Sequence, residues 1–195
     1  LSQYYYNKPE SILQRELIVA MRNDDEITMT KIINEKVLYD NINSQMNIIL
    51  ATLLTANKFK MLALILKNDK IQLENVDDMM RIICSKENYE CIEAFINNNK
   101  CLDGIKDANN ILSMLSLKKK NEDLMIKIIE YDAIHNMNID YKKLSIQICR
   151  NSLVKIFNKL KDKIVMTREL LFEAIGHKES NIISKYILDT DKNIC

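Results

Sequence analysis

Apolar residues recur along the chain in pairs separated by about one helical hairpin. Ile32-Ile33, Leu64-Ile65, Ala94-Phe95, Ile128-Ile129, Ile156-Phe157 and Tyr186-Ile187 follow one another at spacings of 32, 30, 34, 28 and 30 residues. Three positions before each pair stands a further apolar side chain: Met29, Met61, Cys91, Met125, Leu153 and Ile183. An offset of three puts it one turn earlier on the same helix face. A second apolar-periodic segment precedes each of these helices. Ile49 to Leu62 and Met79 to Ile92 align without gaps at an offset of 30. Ile111 to Leu115, Leu144 to Cys149 and Leu170 to Ile175 repeat the theme, and Glu16 to Arg22 opens it. Alternating runs of the kind that mark half-buried strands are lacking. The pattern predicts a short helix, a polar turn and a second short helix, repeated six times.

One such hairpin cannot bury its apolar face alone, whereas stacked hairpins share a continuous core. The expected fold is therefore all-α, a solenoid of about six stacked helix-turn-helix repeats in one domain spanning 1–195. The units fall roughly at 9–42, 43–74, 75–106, 107–140, 141–166 and 167–195. The competing reading is an ordinary irregular helical domain. Leu64, Ile65, Phe95, Ile128, Ile129 and Ile156 are expected to be buried, with Cys84 and Cys91 buried as unpaired thiols. Asn7-Lys8-Pro9 reads as a cap and first turn. Tyr4-Tyr5-Tyr6 is expected to cover the first unit, and Asp189 to Cys195 to form a polar, frayed end.

Composition supports the helical reading. Only 2 Gly and 1 Pro occur in 195 residues, against 22 Asn, too few turn formers for an all-β chain and no phosphate loop around Gly104 or Gly176. A surplus of Ile, Lys and Asn over Ala and Arg suits an AT-rich genome. Lys plus Arg is 28 and Asp plus Glu 27. That balance argues against a strongly basic nucleic-acid module and a polybasic membrane anchor. No apolar stretch is long enough to span a bilayer, and no signal peptide opens the chain. The start at Leu1 reads as a fragment or a processed form. The cysteines, Cys84, Cys91, Cys101, Cys149 and Cys195, are odd in number and match no zinc spacing, which suits a reducing, cytoplasmic compartment.

Period and layout resemble ankyrin repeats over about residues 16 to 188. The sixth unit carries the likeness best: Gly176-His177 leads into Ile182-Ile183 and ends on Ile187-Leu188. Thr55 to Leu66 and Lys86 to Ile96 are similar but lack the glycine. The Thr-Pro-Leu-His start of the ankyrin first helix and the Gly-Ala-Asp signature of its projecting finger are missing from every unit. Degenerate arrays rich in Ile, Asn and Lys look like those of poxviruses. The resemblance implies an adaptor that holds a host protein in the cytosol and modulates host defence. It transfers no binding residue.

The sequence carries no catalytic or metal-binding motif. His135, expected in a loop, and His177, expected at a turn, have no partners at metal-ligand spacing. Asp24-Asp25-Glu26 and Asp77-Asp78 sit at helix starts, where they suit the dipole. Lys118-Lys119-Lys120 is offset at once by Glu122 and Asp123. No enzyme, cofactor or metal is expected. What is left is a surface. In a stacked array the first helices line the concave side, roughly 60 Å long for six units. Thr52, Thr55, Arg81, Ser85, Ser113, Ser116 and Gln147 are expected to face outward there, flanked by the turn residues Lys70, Gln72, Lys100 and Asp103. Lys60, Glu93 and Lys127 belong to the convex helices. A protein partner is the expected ligand. A helical-repeat nucleic-acid binder and a self-associating structural subunit are the alternatives, with no membrane partner.

Overall fold

The computed structural model describes residues 10–34, 49–69, 73, 76–176 and 181–190. Tyr4 to Pro9, Lys70, Gln72, His177 and Cys195 lie outside them. Among the described residues there is helix and no strand, and none of these helices is long and apolar enough to cross a membrane. The helices are α1 Glu10–Asn23, α2 Glu26–Ile33, α3 at 49–55, α4 Phe59–Leu66, α5 Val76–Ser85, α6 Tyr89–Ile96 and α7 Asn99–Asp103. They continue with α8 Ala108–Leu115, α9 Glu122–His135, α10 Tyr141–Arg150, α11 Val154–Leu160, α12 Arg168–Ile175 and α13 Asn181–Thr190. The chain falls into two compact units, Leu1–Ile105 and Lys106–Cys195.

Within each unit the organisation is that of repeated hairpins. In the first unit α1 packs on α2 and α5 on α6, and the second helices α2, α4 and α6 lie side by side in that order. In the second unit α8 packs on α9, α10 on α11 and α12 on α13. There both the first helices, α8, α10 and α12, and the second helices, α9, α11 and α13, pack in series. The residue three before each apolar pair marks the phase. Met29, Met61, Cys91, Met125, Leu153 and Ile183 are all 0 % exposed. The later member of each pair, Ile33, Ile65, Phe95, Ile129, Phe157 and Ile187, is buried as well. Leu64 departs from expectation. It is half-buried, because it borders an open groove between the C-terminal ends of α2 and α4, beside Thr30 and Ile33. Cys84 is likewise half-buried rather than buried, while Cys91 is buried and donates its thiol to the Phe59 carbonyl at 3.0 Å.

A recurring turn links first helix to second. Asp24, Asn57, Glu87 and Ser152 have φ of 54°, 54°, 55° and 55°, each two residues before the second helix begins. The residue after the left-handed one donates its amide five residues back, from Asp25 to Ala20 at 2.9 Å, Lys58 to Leu53 at 2.9 Å and Leu153 to Ile148 at 3.0 Å. This is the Schellman way of closing a helix, and the same residue stands at the N-cap of the next helix. Asp25 accepts from the Thr28 amide at 3.0 Å and the Thr28 hydroxyl at 2.6 Å, which lowers its pKa. Between α8 and α9 the turn is replaced by a 3-10 turn, Lys119–Asn121.

Asparagine explains much of the remaining order. Asn98 donates to the carbonyls of Leu66 at 2.7 Å and Asn68 at 3.2 Å, and Asn68 donates to the Ile33 carbonyl at 3.3 Å. Each amide thus satisfies the carbonyl end of the preceding second helix, which has no partner inside its own helix. Asn98 also caps α7, a helix that the polar run Asn97 to Lys100 does not suggest. His135, expected in a loop, is the last residue of α9 and stacks on Tyr131, with ring centroids 4.1 Å apart. Asp189 and Thr190, expected to be frayed, complete α13.

Candidate functional site

Counting back from the left-handed turn residue gives the register of the first helices. The position two before it is Arg22, Thr55, Ser85 or Arg150, and all four are exposed. The position five before it is Val19, Thr52, Ile82 or Gln147; the first three are exposed and Gln147 is half-buried. The first helices therefore present equivalent positions to solvent, and Thr52, Thr55, Ser85 and Gln147 belong to that series. Arg81 stands one residue before the Ile82 position and is also exposed.

These polar groups are largely engaged locally. The Thr55 hydroxyl donates to Ala51 and Thr52 carbonyls at 2.9 and 3.0 Å, and the Ser85 hydroxyl to Ile82 at 2.7 Å. Arg81 pairs with Asp78 one turn earlier at 2.9 Å. Gln147 donates to the Ser113 hydroxyl at 2.7 Å, tying α10 to α8. Ser116, expected to face outward, is 1 % exposed. It follows α8 directly and donates to the Ser113 carbonyl at 2.7 Å, where helix end and turn close over it. Lys100 and Asp103 are exposed, but on α7 rather than in a turn.

Two grooves open on the first-helix side. In the first unit a groove of about 300 Å³ runs between α1 and α3, with Ile18, Met21, Ile49, Thr52 and Leu53 in its walls. In the second unit a groove of about 410 Å³ lies between α10 and α12, closed by the segment at 161–167. Tyr141, Ile146, Val165 and Leu170 form its apolar wall, and Lys142 and Lys163 stand at its lip. Tyr141 is held in place from beneath. Its hydroxyl donates to Asp132 at 2.8 Å, and Asp132 also accepts the Met137 amide at 2.6 Å. Burial, then the hydrogen bond to Asp132, pushes the Tyr141 pKa up to about 12. Lys163 sits 5.4 Å from the Tyr141 ring centroid.

The sequence reading missed this second groove. Its signal was present: between 140 and 170 stand Lys142, Lys143, Arg150, Lys155, Lys159, Lys161, Lys163 and Arg168 against Asp140, Asp162 and Glu169. Balanced total charge hides that excess.

Burial pushes the thiols of Cys84, Cys91, Cys101 and Cys149 up to about 12, so they are protonated and weakly nucleophilic at neutral pH. Among the described residues no three of His, Cys, Asp and Glu gather closely enough to hold a metal ion. Comparison with family models, with curated proteins and with solved structures gives no match.

Proposed function

We propose that this protein is a non-catalytic protein-interaction module, an ankyrin-like array of helical hairpins that binds a host protein on behalf of a virus or other pathogen. The observation that carries the reading is the register of the first helices. The position two before each left-handed turn faces solvent in four hairpins and the position five before it in three, as a repeat scaffold that presents a surface requires. The free thiols of Cys84, Cys91, Cys101 and Cys149 fit a reducing compartment such as the cytosol. The ankyrin likeness rests on the repeat length, the hairpin layout and the left-handed turn, and on none of the missing signature residues.

The test is affinity capture from host-cell lysate, comparing three forms of the protein. The wild type is expected to retain a specific partner. Charge reversal at Arg81 together with Lys100 is expected to weaken retention without lowering the melting temperature. Lys60→Glu, Glu93→Lys and Lys127→Glu, on second helices, are expected to leave it unchanged. Loss of binding on the second-helix variants alone would move the surface to the opposite side.

One observation favours a second reading, self-association. Phe172 is 73 % exposed, with Ile175 at 58 % and Ile182 at 60 % on the last hairpin. Light scattering that shows only monomer across a concentration series would remove it.

A further inference from the structure

The two units differ in charge. Residues 1–105 hold 12 Lys and Arg against 15 Asp and Glu, for −3, and residues 106–195 hold 16 against 12, for +4, which together give the chain's +1. Within the second unit the excess is concentrated. Eight cations face three acids between 140 and 170. Arg150 pairs with Glu173, Lys155 with Asp123 and Lys159 with Glu130, at 2.8, 2.9 and 2.6 Å, and Lys161 lies over the Tyr186 ring. Lys142, Lys143 and Lys163 form no ion pair among the described residues. Lys142 and Lys163 border the groove between α10 and α12, and Lys143 follows on the same helix.

The groove itself is apolar. Leu170 is buried at its base, Ile146 is half-buried, and Val165 stands 79 % exposed in its wall. Glu169 is the carboxylate in the lining. An apolar hollow under a cationic lip is complementary to an apolar side chain flanked by carboxylates. Nucleic acid fits less well, because single-stranded bases need an open aromatic face. The Tyr141 ring lies under Lys163 and its hydroxyl is held by Asp132.

We propose that the α10–α12 groove docks a short acidic segment of a partner protein, seating one apolar side chain against Ile146, Val165 and Leu170 with its carboxylates facing Lys142 and Lys163. This rests on the interaction-module reading and names the chemistry of what that module takes.

Selection of a phage-displayed library of random dodecapeptides against the immobilised full chain tests it. Selected peptides are expected to carry Asp and Glu around an apolar residue. Fluorescence anisotropy of the best peptide should show affinity falling roughly tenfold or more for Lys142→Glu with Lys163→Glu. A similar loss is expected for Val165→Asp, with no change for Lys86→Glu in the first unit. Raising the salt concentration should weaken binding. Circular dichroism melts confirm that the variants fold. Neutral or basic selected peptides, no selected peptides, or equal binding by the double variant would each overturn the proposal. So would a single-stranded oligonucleotide that binds more tightly than the peptides and is lost in the same variant. If lysate capture of a partner survives Lys142→Glu with Lys163→Glu but fails on reversal of Arg81 and Lys100, the module reading stands and this groove is not its docking site.

Discussion

Position within the repeat, rather than residue type, sets what a side chain contributes. Leu64 and Ile65 are neighbours in sequence, yet Ile65 is 1 % exposed while Leu64 borders an open groove. Ile65→Ala and Phe157→Ala should therefore cost about 2–5 kcal/mol by lost burial and cavity formation. Leu64→Ala should cost clearly less, because water reaches the site already. Urea unfolding measures all three, and equal losses would show that the repeat phase is misassigned. Glu87 holds a left-handed conformation, φ 55°, that residues with a Cβ adopt at a penalty. Glu87→Gly is expected to raise stability by about 0.5–1 kcal/mol, whereas a β-branched residue there should lower it. The apolar phase was legible in the sequence because it depends only on spacing. The left-handed turns were not. Asp24, Asn57, Glu87 and Ser152 share no residue type, and Gly176, the residue that looked like the turn glycine, has an ordinary helical φ of −59°.

Helices and their ends show where polar residues satisfy backbone groups that the helices leave open. Asn98 serves α7 and α4 at once, capping the first with its side-chain oxygen and donating its side-chain amide to the carbonyl end of the second. Asn98→Ala would leave the buried Leu66 carbonyl unsatisfied and is expected to cost about 1–3 kcal/mol. Gly104 closes α7 for a steric reason, not a conformational one. Its φ is −80°, but a Cβ built there would lie 2.5 Å from Val76 Cγ2 on α5. Gly104→Ala should destabilise by about 1–3 kcal/mol through overpacking, while Gly176→Ala, whose nearest neighbour is 3.5 Å away, should be neutral or slightly stabilising. Differential scanning calorimetry of the pair checks both. Neither α7 nor the burial of Ser116 could be read from the chain. A run of asparagines looks like a loop until one finds a carbonyl to bond, and a serine between apolar residues looks outward-facing until the helix ends beneath it.

Across the whole chain, burial of weak acids makes stability depend on alkaline pH. Cys84, Cys91, Cys101 and Cys149 are raised from 9.0 to about 12, and Tyr141 from 10.0 to about 12. Folding favours the protonated forms, so this contribution is complete below the unfolded values and is lost as pH climbs from 9 towards 12. The urea midpoint should hold steady through neutral pH and fall above pH 9. A flat profile to pH 11 would contradict thiol burial. The candidate surface was half legible at this scale. The exposure of Thr52, Thr55, Arg81 and Ser85 on the first helices follows from helix periodicity, whereas the α10–α12 groove needed the fold to bring Lys142 and Lys163 to one lip.

If the first helices carry the binding surface, hydrogen–deuterium exchange of the full chain, alone and with its captured partner, will locate it there. Slowed exchange should appear in α1, α3, α5, α8, α10 or α12 and in the segment at 161–167, with α4, α6, α9 and α11 unchanged. Protection confined to those second helices, with the first helices unaffected, would contradict that placement.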